Sequence, residues 1–252
     1  MQNEIKKNKD DILGVKINNS KYIRVVNYIS ECVKKKRKTQ IATPNPEMVV
    51  IAQKDIEFKK TLNSFELAIP DGAGIVWASK ILGKNISVRI SGIDLMESLC
   101  ELSVENNWTI FLLGGRNGVC QRTKDVLESR YPRIRILGAI EGSPEVEDDS
   151  KVRKEIKKII KNKKIDLLFV AYGASKQEKW ISRNLEYLPV VISMGVGGAF
   201  DYISGEIQRA PKFLRKLGFE WLFRLIREPW RLKRQLRLIQ FVIYVLISRI
   251  KL

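Results

Sequence analysis

The chain has 252 residues, 44% of them hydrophobic, carries a formal net charge of +18 and contains no histidine. That length supports one sizeable core plus an appendage, and the charge calls for an anionic partner: nucleic acid, an acidic membrane surface or a phosphorylated ligand. Without histidine, Ser-His-Asp and Cys-His catalysis and every His-ligated metal site are excluded, so proton transfer falls to a carboxylate, Tyr, Lys or Cys.

Met1 to Asp11 is polar and charged, unlike a signal peptide. Ile12 to Ile17 alternates as a short strand. Asn19 or Ser20 then caps a helix whose apolar positions are Ile23, Val26, Ile29 and Val33. Gln40 to Ala42 is a brief strand that stops at Thr43-Pro44-Asn45-Pro46-Glu47. Two prolines around one Asn make a stiff loop that fixes the Thr43 and Asn45 side chains, and Pro46 starts the next helix. A helix from Asp55 to Asn63 follows. A second strand then runs into Pro70-Asp71-Gly72-Ala73-Gly74 and a helix reaching Gly83. Asp71 reads two ways, as the cap of that helix or as a carboxylate at the mouth of a crevice. Gly72 and Gly74 would let a substrate approach the backbone. Arg89, flanked by apolar residues, is a partner for Asp71 or another buried acid, or a phosphate ligand. A helix from Ile93 to Asn106 follows it.

Trp108 to Leu113 is a strand entering Gly114-Gly115, with a helix from Asn117 to Arg130. Ile134 to Ile140 is another strand, and Glu141 to Ser150 an acidic, solvated loop before a helix from Lys151 to Lys164. Ile165 to Ala171 has the continuous apolar character of a buried parallel strand. It ends in Tyr172-Gly173-Ala174-Ser175-Lys176-Gln177-Glu178. Val190 to Met194 is the last strand and ends in Gly195-Val196-Gly197-Gly198. Strands alternating with helices, with glycine at the strand ends, predict an α/β domain over residues 1–205. Its core would be a Rossmann-like parallel sheet with helices on both faces. The strand-end loops converge on a nucleotide-type crevice, with helix N-termini and basic side chains holding phosphate. The three cysteines, Cys32, Cys100 and Cys120, have no paired spacing. They point to a reducing compartment and to no metal cluster. Nor does a paired-carboxylate metal site stand at any strand end.

Residues 206–252 differ in character. From Arg209 to Arg237 there are ten Lys/Arg against two acids, Glu220 and Glu228, interleaved with aromatic and aliphatic residues. These are basic amphipathic helices suited to an anionic membrane interface, or alternatively packed on the main domain or in a dimer. The apolar run from Leu236 to Ile247 is too short to span a bilayer.

Together, Thr43-Pro-Asn-Pro-Glu, Pro70-Asp-Gly-x-Gly, Arg89-x-x-Gly92, Phe111-Leu-Leu-Gly-Gly, Gly173-x-x-Lys-Gln-Glu, Gly195-Val-Gly and Arg209-Ala-Pro resemble the WecG/TagA/CpsF glycosyltransferase family. The tail Gly218-Phe-Glu-Trp-Leu-Phe-Arg-Leu-x-x-Glu-Pro-x-Arg-Leu is similar to the family's C-terminal appendage. The resemblance implies an inverting, metal-independent, cofactor-free transfer from a UDP-sugar to a polyprenyl-diphosphate-linked sugar. In the wall teichoic acid branch these are UDP-N-acetylmannosamine and undecaprenyl-diphosphate-N-acetylglucosamine. It also implies Asp71 as base, Thr43 beside the sugar or acceptor, Arg89 beside the reacting phosphates and Gln177 on the nucleotide. Arg224, Arg231 and Arg234 would hold the lipid diphosphate or close over UDP. The remaining motif positions, Asn45, Gly72, Gly114, Gly115, Tyr172, Gly173, Lys176, Glu178, Gly195, Gly197 and Arg209, are expected to bind substrate. The appendage would dock a cytoplasmic enzyme on the inner leaflet. The alternatives are a family transferase of another UDP-sugar (N-acetylmannosaminuronic acid, glucose or galactose) and a non-catalytic basic module for lipid or nucleic acid. No nucleic-acid recognition motif is found.

Overall fold

A computed structural model of the chain describes residues 5, 8–216, 218, 220–229 and 232–250, without the side chains of 216 and 233–235. The segment expected as one strand is an antiparallel hairpin, β1 (Lys9–Ile12) and β2 (Val15–Asn18). Leu13 and Gly14 both have positive φ, 56° and 80°, the requirement of a tight two-residue hairpin turn. Asn18 is fully buried. Its amide oxygen accepts from the Ala68 N–H at 2.7 Å and its amide nitrogen donates to the Ile5 carbonyl, which ties the hairpin to the main sheet.

Six parallel strands form that sheet: β3 (Thr39–Ala42), β4 (Leu67–Ala68), β5 (Thr109–Gly114), β6 (Arg135–Ile140), β7 (Ile165–Ala171) and β8 (Val190–Gly195). Their order is β4-β3-β8-β7-β5-β6. All six residues of β5 and of β8 are buried, as expected of strands covered on both faces. Alternate side chains go to opposite faces. Ile110, Leu112, Leu167 and Phe169 pack with α1 (Tyr22–Lys34), α5 (Gly92–Asn106) and α6 (Val119–Arg130). Phe111, Leu113, Leu168 and Val170 pack with the hairpin and five helices on the other side. These are α2 (Pro46–Lys54), α3 (Ile56–Ser64), α4 (Ala73–Ile81), α7 (Asp149–Ile160) and α8 (Lys176–Asn184).

This is the expected α/β core, with local differences. Neither Asn19 nor Ser20 caps α1; its first residue follows Lys21, whose side chain makes no cap. The acidic loop is shorter than predicted, because a 3₁₀ turn over Val146–Asp148 leads into α7 two residues early. Neighbours β5 and β7 send their following helices, α6 and α8, to opposite faces. Such a reversal opens a crevice beyond the carboxyl ends of the strands.

Beyond α9 (Ala199–Ile203), the chain continues as α10 (Lys212–Lys216), α11 (Glu220–Arg227) and α12 (Leu232–Ile250). α12 lies on α2 and α4 and buries Phe241 and Val245 in the second core layer. Its other side leaves Leu236, Ile239, Ile243 and Ile247 exposed. No helix among the described residues is long and apolar enough to cross a membrane.

Candidate active site

A cleft of about 830 Å³ opens at the carboxyl ends of β3, β4, β5, β7 and β8, with α11 and α12 contributing to its wall. On the β3–β4 side three loops are joined through their backbones. The Asp71 N–H donates to the Pro44 carbonyl at 2.9 Å, and the Ile90 N–H donates to the Pro70 carbonyl at 2.9 Å. The Asn45 side chain accepts from the Met48 N–H at 3.0 Å and so caps α2, with Pro46 at its first position. Asn45 therefore shapes the loop as well as lining the cleft.

Gly72, at φ 84°, is the residue that precedes α4, so Asp71 does not cap that helix. Its carboxylate instead turns into the cleft, where Oδ2 accepts a long bond from the Gly92 N–H at 3.4 Å. Thr43 lies beside it, packed against Gly92. A Cβ on Gly92 would come within 3.2 Å of the Thr43 hydroxyl oxygen. Gly72 lines the cleft. Gly74 has a different role from the expected substrate approach: a Cβ there would sit 2.6 Å from the Pro46 ring, so its bareness lets α4 pack on α2.

Burial pushes Asp71 up from 3.8 to about 6. The Arg89 guanidinium and the N–H groups of Gly92 and Gly72 pull the other way, and Glu220 adds to the rise. A carboxylate with a pKa near 6 is ionised at neutral pH and is a stronger base than an ordinary one. Arg89 is the cation whose charge acts on Asp71. It donates to Glu220 at 3.5 Å and to the Arg215 carbonyl at 3.3 Å. Glu220 also meets Arg209 at 3.5 Å. Sequence pattern does not single Glu220 out. Its one signal is that it is an acid within a strongly basic run.

The β5–β7–β8 side is built from glycine turns. Gly115, Gly173 and Gly197 line the cleft, each with positive φ. Gln177 joins two of the turns, because its amide oxygen accepts from the Gly197 N–H at 3.0 Å. Its amide nitrogen donates to Glu178 at 2.7 Å. Glu178 is fully buried and reciprocally caps α8: its Oε2 accepts from the Ser175 N–H at 3.0 Å. Burial raises its pKa to about 7, against the hydrogen bonds from Gln177 and Ser175. Arg224, on α11, lies over this side. It pairs with Glu228 at 2.7 Å, approaches Asp201 at 3.6 Å and stacks on the Tyr202 ring at 4.9 Å.

Of the residues expected from sequence, the structure brings Asp71, Thr43, Arg89, Asn45, Gly72, Gly115, Tyr172, Gly173, Gln177, Gly197 and Arg224 to one cleft. Five others stand back from it. Gly114 is bare because a Cβ would meet the Ala171 backbone at 2.7 Å, and Gly195 because Gln177 and Glu178 occupy that space. Lys176 is at the surface, paired with Glu145 at 2.7 Å. Arg209 is tied to Asp94 at 2.7 Å, and Glu178 serves the α8 cap. Tyr172 lines the cleft, but its hydroxyl is buried beside Gly142, and burial pushes its pKa up. Arg231 lies outside the described residues, as does the side chain of Arg234. Among the described residues no three His, Cys, Asp or Glu side chains converge to hold a metal. The three cysteines are free and buried.

The profile of the glycosyl transferase WecG/TagA/CpsF family matches residues 10–252. The chain is 35% identical over 206 residues to the N-acetylglucosaminyldiphosphoundecaprenol N-acetyl-beta-D-mannosaminyltransferase of Bacillus subtilis (strain 168), covering 82% of this chain and 78% of that protein. It is 32% identical over 238 residues to the enzyme of the same name from Staphylococcus aureus (strain MW2), covering 94% of this chain and 91% of that protein. On these matches the chain belongs to the WecG/TagA/CpsF family of glycosyltransferases.

Proposed function

We propose that the protein transfers N-acetylmannosamine from UDP-N-acetylmannosamine to N-acetylglucosaminyl-diphospho-undecaprenol, a step in making the linkage unit of wall teichoic acid. The observation that carries the reading is Asp71: a carboxylate turned into the cleft, raised to about 6, with Arg89 close by, in a chain similar along most of its length to named mannosaminyltransferases.

Asp71 takes the proton of the acceptor hydroxyl while that oxygen attacks the anomeric carbon of the donor. The new C–O bond forms as the bond from the anomeric carbon to the UDP oxygen breaks, and UDP leaves with the electron pair. In-line attack on an α-linked UDP-sugar gives the β-linked product. The glycine turns at Gly115, Gly173 and Gly197 line the donor side of the cleft, where their lack of side chains lets a diphosphate come close to the Arg224 guanidinium. That guanidinium stabilises the charge growing on the departing diphosphate. We assign that charge to protein groups alone, without a metal or cofactor.

Residues 1–205 serve in this reading as the catalytic domain, and residues 206–252 as the part that meets the cytoplasmic leaflet. Trp221, Leu222 and Ile226 on α11, with the outer stripe of α12, are exposed apolar side chains amid basic ones. That pattern suits an anionic membrane interface. The deciding experiment is turnover of UDP-N-acetylmannosamine with a short-chain lipid-diphosphate-N-acetylglucosamine, with and without chelator, beside other UDP-sugars. Transfer of N-acetylmannosamine that survives the chelator is expected. Preference for another sugar would reassign the donor, and strict dependence on a divalent ion would reject the metal-free step.

A further inference from the structure

A second cleft, of about 710 Å³, adjoins the first between α4 and α10. The two are continuous, since Ala73, Trp77, Arg89 and Gly218 line both. Asp71 and the donor turns belong to the first cleft only. The second is strongly cationic: Lys80, Arg89, Lys212 and Arg215 line it against one acid, Asp94. Asp94 is already neutralised by Arg209 at 2.7 Å. Lys80 and Lys212 have no acidic partner among the described residues; Arg215 approaches Asp94 at 3.8 Å, and its buried Nε has no hydrogen-bond partner. Unused donors held together in this way fit an anion with several oxygens. The wall beside them is apolar, formed by Ala73, Val76 and Trp77. A ligand carrying both a polyanionic head and a greasy tail would satisfy both halves.

We propose that this second cleft receives the diphosphate and first isoprene units of the lipid-linked acceptor. Lys80, Lys212 and Arg215 would lie on the phosphates and Trp77 and Val76 on the hydrocarbon, while the acceptor sugar reaches past Arg89 toward Asp71. The inference rests on the reading that the acceptor is a polyprenyl diphosphate. It separates the two anions of the reaction: the donor's diphosphate at the β5–β7–β8 turns, the acceptor's beside α4 and α10. Arg89 stands at the boundary and touches both spaces.

The test does not require turnover. Farnesyl diphosphate and, separately, UDP are titrated by calorimetry into the full-length protein and into the double variant Lys80→Glu/Lys212→Glu. Both lysines are exposed, so the variant is expected to fold, and UDP binding serves as the check. Reversing two cations should weaken farnesyl diphosphate by at least ~10-fold and leave UDP unchanged. Farnesyl monophosphate and farnesol should bind progressively less well, and inorganic pyrophosphate less well than farnesyl diphosphate, which shows that head and tail both count. If farnesyl diphosphate does not bind, or binds the variant as well as the wild type, or competes with UDP for one site, the proposal fails. In the transfer assay the variant should raise the acceptor KM and spare the donor KM. Absence of transfer from any UDP-sugar by the wild type would instead reject the proposed reaction, leaving the binding result to decide the cleft by itself.

Discussion

Asp71 and Glu178 are two carboxyl groups in one cleft region, and burial raises both, to about 6 and about 7. Their surroundings differ in kind. The Glu178 oxygens accept from Ser175 and Gln177 and close the first turn of α8, so its acceptor capacity is consumed by the fold. Asp71 is held only by the long bond from Gly92 and the neighbouring Gly72 N–H, lines the cleft and has Arg89 near it. A raised carboxyl is common wherever an acid is buried. What marks a base is a raised pKa combined with oxygens left open toward a cavity. The same contrast runs through the glycines: Gly74 and Gly195 are bare to admit protein side chains, Gly72 and Gly197 to bound the cleft.

The sharpest way to break this comparison is Asp71→Asn. It keeps the shape and removes the base, so kcat should fall about 10³-fold, within the usual range for a general base, while UDP affinity stays as it was. Near-normal turnover would transfer the role elsewhere. The same variant should be more stable. Asp71 binds its proton more tightly folded, at about 6, than its ordinary value of 3.8. The ionised form therefore costs stability, an effect that sets in as pH rises from about 4 and is complete above about 6. Asn escapes that cost, and the gain should reach about 3 kcal/mol above pH 7 and vanish below pH 4. Denaturant unfolding at both ends of the range measures it.

Glu178→Ala should do the reverse. Losing both capping acceptors costs about 2 kcal/mol of stability, while kcat per folded molecule falls far less than in Asp71→Asn. Glu178→Gln, which sheds the buried charge and keeps one of the two acceptor oxygens, should cost less stability than Glu178→Ala. The pH profile separates the pair further. kcat/KM should drop below about pH 6, where Asp71 takes up its proton, and that limb should vanish in Asp71→Asn but persist in Glu178→Gln. The smallest effect is expected of Glu220→Gln. Glu220 raises Asp71 through its charge, so the acid limb should move down by roughly 0.5 pH unit. An unmoved limb would show that the two carboxylates do not sense each other.

Much of this was legible in the chain because it is local. Apolar runs that end in glycine or proline dictate strands that stop at turns, and parallel strands buried on both faces read as continuous apolar segments, as β5, β7 and β8 do. The Pro44–Pro46 loop, the Asp71 turn and the glycine turns were readable for the same reason. Residue type alone could not separate an arginine or glutamate that faces a ligand from one that faces its own protein. Lys176, Glu178 and Arg209 share motifs with Gln177 and Ala210, yet the fold spends them on a surface pair, a helix cap and an ion pair with Asp94. Glu220 is 149 residues from Asp71 in the chain (220 − 71) and reaches its electrostatic field only because α11 folds back over the sheet edge. The sequence by itself determined the parallel sheet and the position of its turns, since these follow from periodicity and backbone sterics, and it left Asp71 between a helix cap and a cleft-facing carboxylate. The tertiary structure alone decided which charges are left unpaired, because pairing depends on distances between segments remote in the chain.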